Sequence, residues 1–210
     1  MSFIESLTEY QLDTLKEIGN IGSGNAATSL STLLNRKVDM TVPAVRVVDF
    51  DEMMDLVGGP DKIIVSVYLR IQGEAPGNMF FVLSPPEAEV FVKEMTGIDN
   101  FNLENPPFDE MGLSALQELG NILAGSYLSA LSDFIKILLQ PSVPLLHIDM
   151  AAAILTQGLM ELSQESDYAI IIDTIINEEG NSGEPIQGHF FLLPDPESFP
   201  KIFDRLGVTR

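Results

Sequence analysis

Apolar side chains recur at three- and four-residue steps through residues 10–35, at Leu12, Leu15, Ile18, Ala26, Leu30 and Leu33, the period of an amphipathic helix. Residues 113–138 carry the same pattern. Beyond Pro43 the period shortens. "AVRVVDF" reads as a strand and a short helical piece runs to the breaker "GGP"; "KIIVSVYLRIQGE" and "GNMFFVL" then read as an antiparallel hairpin turning at "GEAPG". "PPEAEVFVKEMTG" has proline early and glycine last, the usual asymmetry of a helix. The order then starts again: "LLHIDM" as a strand, "AAAILTQGLMELS" as a helix, "YAIIIDTII" and "GHFFLLP" as strands, and "DPESFPKIFDRLG" as a last helix. Between the two series, "DNFNLENPPFDEM" is rich in Asn, Pro and acid and reads as a linker.

The second series is a copy of the first. A shift of 101 residues brings Leu12 onto Leu113, Leu15 onto Leu116, Glu17 onto Glu118, Gly19 onto Gly120, Asn20 onto Asn121, Gly24 onto Gly125, Leu30 onto Leu131 and Pro43 onto Pro144. Two copies of about 100 residues make a duplicated unit, since a solenoid needs at least three. The expectation is an α/β (α+β) fold over residues 1–210 as a single domain, with internal repeats at 10–99 and 111–210. Each half is expected to give three strands to one largely antiparallel sheet flanked by helices, the halves being related by a pseudo-twofold axis.

Composition narrows what such a molecule does. At 45% hydrophobic, the chain of 210 residues can fill a substantial core. Its formal charge of −20 argues against a basic face for nucleic acid or anionic membrane, leaving proteins or small molecules as partners. Cysteine is missing, which excludes disulfides, thiolate zinc sites and Cys nucleophiles. His147 and His189 both lie in apolar runs and read as half-buried strand residues, with no triad or metal cluster around them. Neither a leader pattern nor a run of about 18 apolar residues occurs, so a cytoplasmic protein is expected.

The chemistry sits on the duplicated helix. Positions 13, 17, 20 and 24 fall on one helical face. They are Asp13, Glu17, Asn20 and Gly24 in the first copy and Ser114, Glu118, Asn121 and Gly125 in the second, while neighbours drift, as Lys16 does against Gln117. Glu offers a fixed charge for a Lys or Arg. Asn offers both a donor and an acceptor, suited to orienting a water, and has no proton to give. Gly leaves room for a partner's backbone. Two readings are open: a solvated face with glycines serving helix packing, or a surface kept for another molecule. For Gly19 and Gly120, off the stripe, packing against the sheet is the better explanation.

The spacing Asp/Ser, three residues, Glu, two residues, Asn, twenty-two residues, Pro occurs twice, ending at Pro43 and at Pro144. It resembles the signature of the CheC, CheX and FliY phosphatases of bacterial chemotaxis, and the two-copy layout and length are closest to the CheC type. The resemblance implies hydrolysis of the aspartyl phosphate on the response regulator CheY, with Glu17 and Glu118 ion-pairing to the receiver's Lys and Asn20 and Asn121 positioning the attacking water. Asp13, Ser114, Gly24, Gly125, Pro43 and Pro144 would support the motif. It implies no cofactor or metal of the chain's own, with magnesium carried by the phosphorylated partner. The alternative function is a non-catalytic module that regulates the receptor deamidase CheD or docks at the flagellar switch. Asp149, between a strand and a helix, would then be a CheD contact, or simply that helix's N-cap.

Overall fold

The computed structural model describes residues 8–104, 106–160, 168–178 and 185–206. Each half opens with a 26-residue helix: α1 (Glu9–Leu34) and, later, α4 (Glu110–Ile135). Asp109 caps α4 by accepting the Gly112 N–H at 3.0 Å. α1 is followed by β1 (Val38–Thr41), β2 (Val45–Asp49), α2 (Phe50–Leu56), β3 (Ile63–Gly73), β4 (Gly77–Leu83) and α3 (Pro85–Thr96). The second half continues from α4 through β5 (Leu139–Pro141), β6 (Leu145–Met150), α5 (Ala151–Met160), β7 (Tyr168–Glu178), β8 (Ile186–Pro194) and α6 (Ser198–Arg205). The end of the "AAAILTQGLMELS" helix and the final Gly207 lie outside the described residues.

The eight strands of the described residues join one antiparallel sheet in the order β1, β7, β8, β4, β3, β5, with β2 also on β7 and β6 also on β3. The pairing is twofold in its register. Val67 stands opposite Phe81 on one side and Leu146 on the other; Ile172 stands opposite Phe190 and Val45 in the same way. Phe81 and Phe190 face each other at the middle, their ring centroids 4.7 Å apart. The expected pseudo-twofold halves on a shared sheet are therefore present. Among the described residues each half gives four strands, not three: β1 and β5 add short segments to the sheet. The pairing is also crossed, because the short strands of each half lie on the long strand of the other.

Alternation along the strands sends side chains to both faces, and each face has its own core. One packs against α1 and α4 and includes Leu15, Ile18, Leu116, Leu119, Leu123, Phe81 and Phe190. The other gathers Met53, Phe80, Ile154, Leu155, Ile171 and Phe191 beneath α2 and α5. Close approach of neighbouring elements explains three of the helix glycines. A Cβ at Gly22 would lie 2.8 Å from Tyr127 Cδ1, one at Gly120 would lie 2.4 Å from Val67 Cγ1, and one at Gly19 would lie 3.3 Å from Val42 Cγ1. Tyr127 fills the gap over Gly22 and shares a hydrogen bond with Thr174 Oγ1 at 3.1 Å; burial pushes its phenol up to about 12.

The segment read as a linker is not a free tether. Phe101 and Leu103 are buried, Phe101 lies over Gly112, and Glu89 Oε1 accepts the Leu103 N–H at 2.7 Å. These two buried residues, set among Asn, Pro and acid, are enough to fasten it to α3 and α4.

Candidate functional site

Because α1 and α4 each bury one face on the sheet, their opposite faces are left to solvent, and the stripe falls there. Asp13, Glu17 and Gly24 are exposed and Asn20 is half-buried; Ser114, Glu118 and Asn121 are exposed and Gly125 is half-buried. In the second copy the acidic and amide side chains meet: Asn121 Nδ2 donates to Glu118 Oε2 at 3.4 Å. Ser114 Oγ donates back to the Glu110 carbonyl at 2.9 Å. Among the described residues, and apart from the neighbouring backbone of its own helix, neither Gly24 nor Gly125 has an atom within 4 Å of where a Cβ would stand. Nothing in the fold requires glycine at either place, although each costs about 1 kcal/mol against alanine within a helix. The packing explanation holds for Gly19 and Gly120 and fails for Gly24 and Gly125.

The loop carrying the motif proline lies beside each stripe, and the two loops are fastened differently. In the first half Asn20 Oδ1 accepts the Val42 N–H at 3.1 Å, so the residue before Pro43 is drawn inward. The twenty-two-residue spacing from Asn20 is what brings this N–H within reach. In the second half Gln117 Nε2 donates to the Pro144 carbonyl at 2.7 Å instead. Val42 is buried and Pro43 exposed, whereas Val143 is exposed and Pro144 buried. Sequence reasoning singled out both prolines but missed Gln117. Its only signal was a difference between the copies, Gln117 standing where the first half has Lys16.

The other candidates have structural surroundings. Asp149 is exposed on the edge strand β6 and its Oδ1 accepts the adjacent Met150 N–H at 2.7 Å. Asp149 therefore does not N-cap α5; in the first half, that role falls to Asp49, which accepts the Glu52 N–H at 2.8 Å at the head of α2. His147 and His189 are half-buried, as expected. His189 Nδ1 sits 2.8 Å from Asp173 Oδ1, and Arg46 Nη2 reaches the same carboxylate at 2.9 Å. Burial opposes ionisation of Asp173, but the His189 hydrogen bond and the Arg46 charge outweigh it and hold the carboxyl below its ordinary value. This cluster ties β2, β7 and β8 together and lies away from the stripes. No helix among the described residues is long and apolar enough to cross a membrane.

Comparison with known proteins agrees with this layout. The CheC-like family model matches residues 11–47 and 111–148, the two helix-to-strand segments that carry the motif. The chain is 46% identical over 209 residues to the CheY-P phosphatase CheC of Bacillus subtilis, covering all of both chains. It is 34% identical over 129 residues to the flagellar motor switch phosphatase FliY of the same organism, covering 61% of this chain and 33% of that protein. Among solved structures, FliY of Thermotoga maritima superposes with a TM-score of 0.72 over 96% of this chain and 98% of that one, at 24% identity, sharing the fold. With end-to-end identity to a CheC protein and both motif segments matched, the chain belongs to the CheC-like family.

Proposed function

We propose that this chain is a cytoplasmic phosphatase that hydrolyses the aspartyl phosphate of a CheY-type response regulator, the activity carried in the name of its full-length relative. The observation that carries the reading is the Glu–Asn pair on the outer face of both long helices, one turn from a glycine that no internal packing demands; Glu17, Glu118 and Asn121 are exposed and Asn20 is half-buried. Water's oxygen bonds to phosphorus, the phosphorus–oxygen bond to the aspartyl carboxylate breaks, and the carboxylate leaves as its anion. The protons of the water end on inorganic phosphate and solvent. Such a reaction needs orientation of the water and neutralisation of charge far more than a new nucleophile.

Glu17 and Glu118 supply the docking charge for the receiver's lysine, drawn toward a chain of net charge −20. Asn20 and Asn121 hold the attacking water in line, as amide side chains do in GTP hydrolysis. Asp13 and Ser114 begin the two stripes and set their local charge, and Gly24 and Gly125 admit the partner's backbone. Magnesium belongs to the phosphorylated partner in this scheme. For the receptor deamidase CheD, exposed Asp149 on the edge of the sheet is the proposed contact.

Phosphate release from acetyl-phosphate-charged CheY tests the reading. Changing both Glu17 and Glu118 to Gln keeps the shape of the stripes but removes the docking charge. KM is expected to rise by about tenfold, on the scale of a charge-assisted contact of about 1.4 kcal/mol, with a steeper loss at low salt than at high salt. Unchanged KM at every ionic strength would dissociate the carboxylates from docking. Dialysis against a chelator should leave the chain able to act once magnesium-loaded CheY-P is supplied. Tightly retained stoichiometric metal in the active chain would contradict the assignment of the ion to the partner.

A further inference from the structure

The two stripes share residue types, yet their amides are in different states. Asn20 has committed one of the two lone pairs on its carbonyl to the Val42 N–H, turning that carbonyl toward the loop. Asn121 donates through Nδ2 to Glu118, and among the described residues no loop N–H comes to its Oδ1. A water that donates an O–H to an amide carbonyl keeps its own lone pairs for attack on phosphorus. Such acceptance is open at Asn121 and partly used up at Asn20.

The cause lies in the loops. Val42 is 2% exposed and its counterpart Val143 is 77% exposed, so the loop after β5 is turned outward relative to the loop after β1. Pro144 takes the inner place, and its carbonyl is held at 2.7 Å by Gln117 Nε2, one helical turn before Asn121. Ser142 adds a second fastening: its backbone N–H donates to the Arg70 carbonyl at 2.8 Å, and its Oγ accepts the Arg70 N–H at 3.0 Å. Held this way, Val143 does not present its N–H to Asn121 as Val42 does to Asn20.

We propose that Gln117 is a positioning residue which, by holding the Pro144 loop off Asn121, makes the second half the main site of turnover, while Asn20 serves chiefly to anchor its own loop. This rests on the phosphatase reading above and assigns unequal roles within it.

The test uses the full chain and CheY-P. Asn121→Ala is expected to lower kcat by about tenfold or more, with its melting temperature unchanged. Asn20→Ala is expected to lower kcat by a smaller factor than Asn121→Ala does, while lowering the melting temperature and removing hydrogen-exchange protection from the Val42 amide. In the Asn20→Ala background, Gln117→Met keeps the length of the side chain but removes the donor. It is expected to lower kcat by about fivefold with KM unchanged, and to slow exchange at the Val143 amide as the loop closes on Asn121. Gln117→Arg, which restores a donor, should recover the rate. Equal losses from the two single Asn variants would overturn the inequality. A normal rate in Gln117→Met, with Val143 still exchanging freely, would remove Gln117 from any positioning role. If the Asn20→Ala/Asn121→Ala double variant keeps full activity, it is the phosphatase reading that fails, not merely the division of labour.

Discussion

Replacing both Asn20 and Asn121 by Ala is expected to lower turnover of CheY-P by about 10²-fold while leaving its binding intact, if positioning the water is worth about 2.7 kcal/mol. The expectation follows from where the side chains stand. Glu17 and Glu118 remain exposed in the double variant, so the docking charge persists. What disappears is the amide that can hold a water in line, and neither Ala nor bulk solvent replaces an oriented acceptor. Single-turnover measurement separates the outcomes, since binding should saturate at the usual concentration while the hydrolytic step slows. Loss of stability accompanies only the Asn20 change, whose bond to the loop would leave the Val42 N–H without its partner, at about 1–3 kcal/mol. A double variant that hydrolyses at the parental rate would reduce the stripes to docking surfaces.

Gly120→Ala and Gly125→Ala, five residues apart on one helix, should move stability in opposite directions. At Gly120 the new methyl would lie 2.4 Å from Val67 Cγ1 and 2.5 Å from its Cβ, against a strand in the middle of the sheet that has little room to yield. Overpacking of this kind costs about 1–3 kcal/mol, and the rigid neighbour puts Gly120→Ala at the upper end, with a fall in melting temperature of about 5–10 °C. At Gly125 the methyl meets nothing, so the intrinsic helix preference of Ala should add about 1 kcal/mol and raise the midpoint by about 2–4 °C. That gain should come with a loss, because the methyl intrudes where a partner's backbone lies: KM for CheY-P is expected to rise by about tenfold. Thermal melts and steady-state phosphate release read both effects. A stabilised Gly125→Ala that still works at full affinity would show that the glycine serves neither packing nor recognition.

The residues that made the site legible in the sequence are those whose constraint is local. Glu17, Asn20 and Gly24 share a face through helical periodicity alone, and their return at Glu118, Asn121 and Gly125 marked the face as kept. The β3–β4 hairpin was readable because its strands are adjacent and turn through "GEAPG". By contrast, β1 and β5 are four and three residues long, and their partners lie more than sixty residues away, so no period announces them. The same limit hid the Asn20 bond to Val42 and the Gln117 bond to Pro144, which depend on how a loop closes over a helix. The acid-rich segment before α4 misled for a related reason: two buried residues, Phe101 and Leu103, outweigh the polar majority around them.

The crossed pairing of the strands bears on how any damaged variant is to be interpreted. The first half's β1 and β2 are completed by β7, and the second half's β5 and β6 by β3, so neither half keeps its sheet edges if the other melts. The two stripes therefore stand or fall together as folded objects, while remaining separate as places where a partner binds. A substitution that silences both has broken the scaffold; one that silences a single stripe has touched chemistry. Duplication in this chain has bought no spare copy of the fold, only a second place to use it.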